Sequence, residues 1–195
     1  MNEETQRRRR ILVIGTGVAG ALGGLGASIP LLSSMAPSAK ARAAGAPVEV
    51  ELSNIEPGMM VTVEWRGKPV WVLHRTPTML NSLGETLSKV QDPESSIPMQ
   101  PKYAMNEYRS IKAEYLVLVG ICTHLGCSPT QKLEVGPGTG MGADWKGGFF
   151  CPCHGSKFDL AGRVYKGVPA PVNLEVPPHM YLSEEMLIIG EEKEA

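Results

Sequence analysis

The chain has 195 residues, 43% of them apolar, with 22 glycines and 16 prolines; that length suits one domain or one domain with an appendage, and the composition favours short strands and turns over long helices. The formal charge of −1 conceals an asymmetry: from Ala46 onward 13 Lys and Arg face 18 Asp and Glu, a net of about −5, while the other cations crowd the N-terminus. No basic patch with interleaved aromatics occurs, which leaves nucleic-acid binding without support.

The first predicted element is a membrane anchor. No charge interrupts the chain between Arg10 and Lys40, and Ile11–Leu32 reaches the roughly 20 apolar residues that a bilayer crossing needs. Residues 1–10 are expected to stay on the cytoplasmic side, because flanking arginines resist transfer. Residues 11–32 then span a bacterial inner membrane, and the rest of the chain lies in the periplasm. Arg7–Arg10 ahead of a glycine-rich, moderately apolar stretch resembles a twin-arginine export signal, a route taken by folded proteins. A cleaved signal peptide, cut near "ARA" (41–43), is the alternative, but the apolar run exceeds the usual signal core of about 7–15 residues. "GTGVAG" (15–20) matches a dinucleotide fingerprint yet lacks the acidic residue expected about 20 positions on, and is set aside. Residues 33–47, small and rich in Ala, Gly and Pro, predict a flexible hinge.

From residue 48 to the end a single β-rich domain is expected. "VEVELSNI", "MMVTVEW" and "KPVWVLHR" alternate apolar and polar side chains, as half-buried strands do. Thr76–Val90 reads as the one helix, with Met79, Leu80, Leu83, Leu87 and Val90 sharing a face. "EYLVLVGI" (114–121) is a buried-strand run, and "MYLSEEMLIIG" closes the chain as a hairpin. His74 and His179 read as packing or surface residues, since no cysteine neighbours them, and Trp65, Trp71 and Trp145 as packing residues. The Gly-rich stretch within 128–148 reads as an inserted surface loop.

All 4 cysteines fall in two short segments, "CTHLGC" (122–127) and "CPCHGSKF" (151–158), each with a histidine. They follow a strand and an aromatic run, so both are expected as loops presented by a sheet. Six donors compete for a site usually built from four. Taking one cysteine and one histidine per loop selects Cys122, His124, Cys151 and His154, and leaves Cys127 and Cys153 over. Zinc accepts such a set, although Cys-x-His with Cys-x-x-His departs from finger spacing.

Both loops, the "GR" that follows them, "VPAP" (168–171), "NLEVPP" and the N-terminal anchor together resemble the Rieske family, and within it the iron–sulfur subunits of quinol:cytochrome c reductases. The resemblance implies an all-β fold, an antiparallel sheet sandwich with a small cluster-binding loop subdomain at about 121–171. It implies one 2Fe-2S cluster per chain, with Cys122 and Cys151 on one iron, His124 and His154 on the solvent-facing iron, and a Cys127–Cys153 disulfide, which persists outside the cytoplasm. Neutral imidazoles in place of two thiolates remove negative charge and raise the reduction potential.

By the same resemblance the chain takes an electron and a proton from quinol and passes the electron to a c-type cytochrome. His154 faces quinol with His124 beside it, and Leu125 is an apolar contact to the cytochrome b subunit. Ser156 donates a hydrogen bond to a sulfur. Phe158 stands where mitochondrial relatives carry a tyrosine and cannot donate one. Pro169, with Pro171, stiffens a loop over the cluster. Implied partners are cytochrome b, a membrane-anchored c-type cytochrome, quinol and the lipid bilayer, in a dimeric complex. The alternatives are the Rieske small subunit of a periplasmic oxidase such as arsenite oxidase, and a zinc-stabilised binding module.

Overall fold

The computed structural model describes residues 2–39, 41, 45–136 and 139–192. The chain divides into two compact units at residues 43 and 44. The hinge expected over 33–47 is described only in part, since residues 40 and 42–44 lie outside the described set, as do residues 137 and 138 of the 128–148 segment.

The first unit holds the long helix α1, Glu3–Ser34, which takes in the arginine run as well as the apolar stretch. Glu3 and Glu4 occupy its first turn, where carboxylates complement the partial positive charge of the helix end. Its 32 residues span about 48 Å at 1.5 Å per residue. Ile11, Leu12, Val18, Leu22, Leu25 and Ile29 are all exposed, and an 18-residue window reaches a mean hydropathy of 1.7. By length and composition the helix can cross a membrane. Its hydroxyls suit that setting: Thr16 Oγ1 donates to the Leu12 carbonyl at 2.8 Å and Ser28 Oγ to that of Leu25 at 2.7 Å. In hydrocarbon no water would satisfy those groups.

Among the described residues, the second unit has nine short strands, one α-helix and a 3-10 turn at Lys102–Ala104. Strands β1 (Val48–Glu51), β8 (His179–Tyr181) and β9 (Met186–Ile189) form one antiparallel sheet in the order β1-β9-β8. A second holds β2 (Met60–Trp65), β3 (Lys68–His74) and β4 (Tyr115–Val119) in chain order. The third holds β5 (Thr130–Lys132), β6 (Gly148–Phe150) and β7 (Lys157–Phe158). The expected antiparallel sandwich is present, and the third sheet carries the small loop subdomain.

The middle sheet is covered on both faces, and this explains the run "LVLV". Successive strand residues point to opposite faces. Val70, Val72, Val117 and Val119 face a core shared with Val50, Leu187 and Ile189. Trp71, Leu73, Leu116 and Leu118 face a second core with Phe149, Phe158, Leu160, Cys122 and Cys151. The Trp71 ring stacks on Phe149 with centroids 4.9 Å apart, so the loop subdomain is packed directly on the sandwich.

The helix is shorter than its apolar pattern: α2 spans Pro77–Thr86, with Thr76 capping it by accepting from the Met79 amide at 3.3 Å. Met79 and Leu83 are buried, whereas Leu87 is exposed. Val90 leaves the helix to bridge Tyr165. The 128–148 segment is more than a surface loop, for it supplies β5 and buries Trp145, whose Nε1 donates to the Lys132 carbonyl at 2.8 Å.

Candidate metal centre

Two loops form the centre, one leaving β4 and one joining β6 to β7. The same pair of backbone bonds closes each. Cys122 N donates to Cys127 O at 2.8 Å and Gly126 N to Cys122 O at 3.0 Å; Cys151 N donates to Ser156 O at 2.8 Å and Gly155 N to Cys151 O at 2.9 Å. Gly126 and Gly155 have φ of 84° and 78°, a left-handed conformation that costs other residues about 1–2 kcal/mol. The glycines at these two matching positions are therefore required by the turn itself.

A Cys127–Cys153 disulfide joins the loops, with Cα atoms 6.7 Å apart. Cys122 and Cys151 remain free and buried. The Cys151 sulfur lies within 4.8 Å of both disulfide sulfurs, but a disulfide offers no thiolate, so the available sulfur donors are Cys122 and Cys151. These two side chains touch each other. Burial pushes the Cys122 thiol up, while hydrogen bonds from the His124 amide and the Ser156 hydroxyl pull it back. A pair of thiols in a dry core can both ionise only beside a cation.

His124 and His154 set their rings edge to face, centroids 4.7 Å apart. His124 is half-buried and His154 exposed. The Nδ1 of His124 is buried with no hydrogen-bond partner, a costly state for a polar atom that leaves its lone pair open to a metal. Sulfur donors are thus paired inside and imidazoles paired outside. Such a set suits one tetrahedral ion or two adjacent metals, one holding sulfur and the other nitrogen.

The other sequence-predicted residues surround this core. Ser156 is fully buried; its oxygen accepts from the Ala170 amide at 3.0 Å while its hydroxyl reaches Cys122. Thr123 Oγ1 donates to the Val172 carbonyl at 2.7 Å. The "VPAP" segment is thereby tied to both loops, with Pro169 exposed on its outer side. Phe158 is wholly buried in the core that includes Cys122 and Cys151. Leu125 is 72% exposed, next to His124 in sequence and without cover. His74 and His179 stand apart, their Nδ1 atoms bonded to the carbonyls of Ile55 and Pro177.

Sequence reasoning missed a buried ionic layer beneath the loops. Asp159 accepts from Arg163 Nε at 2.8 Å, from the amides of Ala161 and Arg163, and from Thr86 Oγ1. Arg75 and Arg109 are buried beside this pair. Burial pulls their guanidinium pKa values down, to about 9 and about 10 respectively. The only visible signal was the "GR" after the second loop. Arg75 and Arg109 sit among polar residues in sequence and read as surface.

Paired loops carrying two thiols and two imidazoles, stapled by a disulfide on an antiparallel sandwich, define an iron–sulfur electron carrier with mixed ligation. Residues 47–178 match the family model for the Rieske [2Fe-2S] domain, and residues 1–38 match that for the Ubiquitinol-cytochrome C reductase Fe-S subunit TAT signal. The chain belongs to the Rieske family, and its cofactor is a 2Fe-2S cluster. It is 59% identical over 186 residues to the ubiquinol-cytochrome c reductase iron-sulfur subunit of Allochromatium vinosum, covering 95% of this chain and 89% of the relative. It is 41% identical to that subunit of Bradyrhizobium diazoefficiens, covering 94% of each. Among solved structures, a chain of a hyperthermophilic respiratory complex III is 31% identical, with a TM-score of 0.48, covering 90% of this chain and 98% of that one.

Proposed function

We propose that this chain is the iron–sulfur subunit of a bacterial quinol:cytochrome c reductase. Cys122 and Cys151 hold the inner iron, and His124, through Nδ1, holds the outer iron together with His154. When bound, the cluster supplies one-electron chemistry at a potential raised by its imidazole ligands. Ser156 and the His124 amide donate to the Cys122 sulfur and so stabilise added negative charge there. Exposed His154 meets quinol, and its ring nitrogen away from the iron takes the proton that accompanies the electron, with His124 beside it. Leu125 supplies an apolar contact to cytochrome b, and Pro169 stiffens the loop that shields the centre.

In the same reading α1 anchors the chain in the inner membrane, residues 1–10 are cytoplasmic, and residues 33–47 tether a periplasmic domain spanning 48–195. A loose tether lets that domain visit the quinol site and then a membrane-anchored c-type cytochrome. The complex is dimeric. The observation that carries the proposal is the sorted donor set, thiols inside and imidazoles outside, next to an uncovered leucine. A single zinc ion gives no reason for the neighbouring Cys127–Cys153 disulfide, and the relatives named above are ubiquinol-cytochrome c reductase subunits rather than subunits of a periplasmic oxidase.

The test is purification from detergent-solubilised membranes. The chain is expected to bring b- and c-type haems with it and to support quinol-dependent reduction of cytochrome c. A chain that purifies without haems refutes the assignment. Leu125→Asp is expected to depress that turnover while leaving the cluster's potential unchanged.

A further inference from the structure

Among the described residues, Arg75, Arg109 and Arg163 are all fully or almost fully buried, and Asp159 is the one buried carboxylate. Buried charge is costly unless paired, and only Arg163 has a carboxylate partner, at 2.8 Å. Arg75 is held by neutral oxygens instead: the carbonyls of Ala113, Tyr108 and Leu160, and Ser110 Oγ. Arg109 is held by the carbonyls of Ala161 and Leu174 and by Gln100 Oε1. The nearest other acids, Glu114 toward Arg75 and Asp92 toward Arg109, are only half-buried. The layer therefore carries an excess of about two positive charges that no buried acid cancels.

Its place matters. Leu160 and Ala161, which receive Arg75 and Arg109, belong to the same core cluster as Cys122 and Cys151. Ser156, whose hydroxyl reaches the Cys122 sulfur, precedes Leu160 and Ala161 by four and five residues. At 3.8 Å per residue those carbonyls lie within about 15–19 Å of it. Both sites adjoin one apolar core cluster, where charge is screened less than in water.

We propose that Arg75 and Arg109 are positioning residues for the redox reaction, a buried cationic layer that raises the electron affinity of the cluster held by the loops above. The inference rests on the functional reading just given. An added electron makes the centre more negative, and fixed positive charge behind it favours that state. At that outer limit of about 15–19 Å, a unit charge in an effective dielectric of about 20 changes a one-electron equilibrium by at least about four- to sixfold. Three guanidinium groups are thus more than staples for the 159–163 segment, a task that neutral amide donors could perform.

The experiment compares Arg109→Met with Arg109→Lys in the full chain within its complex, reading the cluster's potential by a redox titration followed by electron paramagnetic resonance at pH 6. Both substitutions remove the forked hydrogen bonds; only Met removes the charge, since three oxygens remain to hold a lysine ammonium. Arg109→Met is expected to weaken electron affinity by at least about four- to sixfold, and Arg109→Lys to restore it. Asp159→Asn, which deletes a negative charge, is expected to strengthen it. Equal shifts in the Met and Lys variants, or loss of the cluster from both, overturn the proposal by showing a structural role alone. An unmodified chain lacking the reduced-cluster signal overturns the functional reading first, and this inference with it.

Discussion

Ser156→Ala separates the electronic from the structural work of one side chain. The hydroxyl donates to Cys122 Sγ and its oxygen accepts from the Ala170 amide at 3.0 Å, in a position with no solvent exposure. A hydrogen bond between neutral groups contributes about 0.5–1.5 kcal/mol net, and one to a charged group about 1.5–3. Reduction adds negative charge to the centre, so the bond gains on the order of 1 kcal/mol when the electron arrives. For one electron, tenfold in equilibrium corresponds to about 59 mV, which makes that gain about 45 mV. Removing the hydroxyl should therefore lower the potential by roughly that amount.

The same substitution strands the Ala170 amide in the interior, at about 1–3 kcal/mol, and loosens "VPAP" over the loops. Two readouts distinguish the effects: the potential, from a redox titration monitored by electron paramagnetic resonance, and the temperature at which visible absorbance of the cluster is lost. Both should fall. A cluster-loaded variant with unchanged potential refutes the claim that this hydroxyl tunes the centre, whatever happens to its stability.

Phe158→Tyr adds a hydroxyl inside the core that includes Cys122 and Cys151, and should raise the potential at a packing cost of about 1–3 kcal/mol; a titration showing no rise defeats the idea. Cys127→Ala with Cys153→Ala opens a loop spanning 26 residues, which chain entropy values at about 3–4 kcal/mol, so the cluster should be lost at markedly lower temperature. An added Cβ at Gly155 meets nothing within 4 Å, so Gly155→Ala should cost only the backbone strain of about 1–2 kcal/mol, visible as a modest fall in melting temperature. No loss there would mean that the loop lacks the left-handed turn. Burial holds His179 below its usual pKa, with its bond to Pro177 working the other way. The unfolded chain then binds a proton that the folded chain resists. Stability should decline as pH falls below about 6.5, and His179→Phe should flatten that slope in thermal melts.

The strands and the loop donors were legible because each rests on a local pattern. Alternation marked β1 and β2, and the continuous run in β4 correctly signalled a strand covered on both sides; β3, read as half-buried, is instead buried throughout Val70–Leu73 because it lies between β2 and β4 in the covered sheet. Spacing alone could not show which two of four cysteines stay free; the structure shows it by placing Cys122 against Cys151 and bonding Cys127 to Cys153. Strands β5 and β7, of 3 and 2 residues, are too short to generate any period. Helix α2 ends early because Val90 is drawn to Tyr165, a long-range pairing that local propensity does not encode. The ionic layer escaped for a related reason: a charged side chain is assigned to the surface unless its partners are known, and those of Arg109 are carbonyls 52 and 65 residues away.

The shared backbone frame of the two loops explains how dissimilar sequences build one centre. Cys122 and Cys151 occupy matching positions, as do Gly126 and Gly155, and therefore Cys127 matches Ser156. Each residue of that last pair reaches across to the opposite loop. Cys127 does so covalently, to Cys153, and Ser156 by a hydrogen bond to Cys122. The histidines break the match, falling two residues after the cysteine in the first loop and three in the second. That offset turns one ring inward, with Nδ1 buried, and leaves the other in solvent. One loop thus fixes the centre to the core while the other presents it, and the two cross-links hold both roles in one geometry.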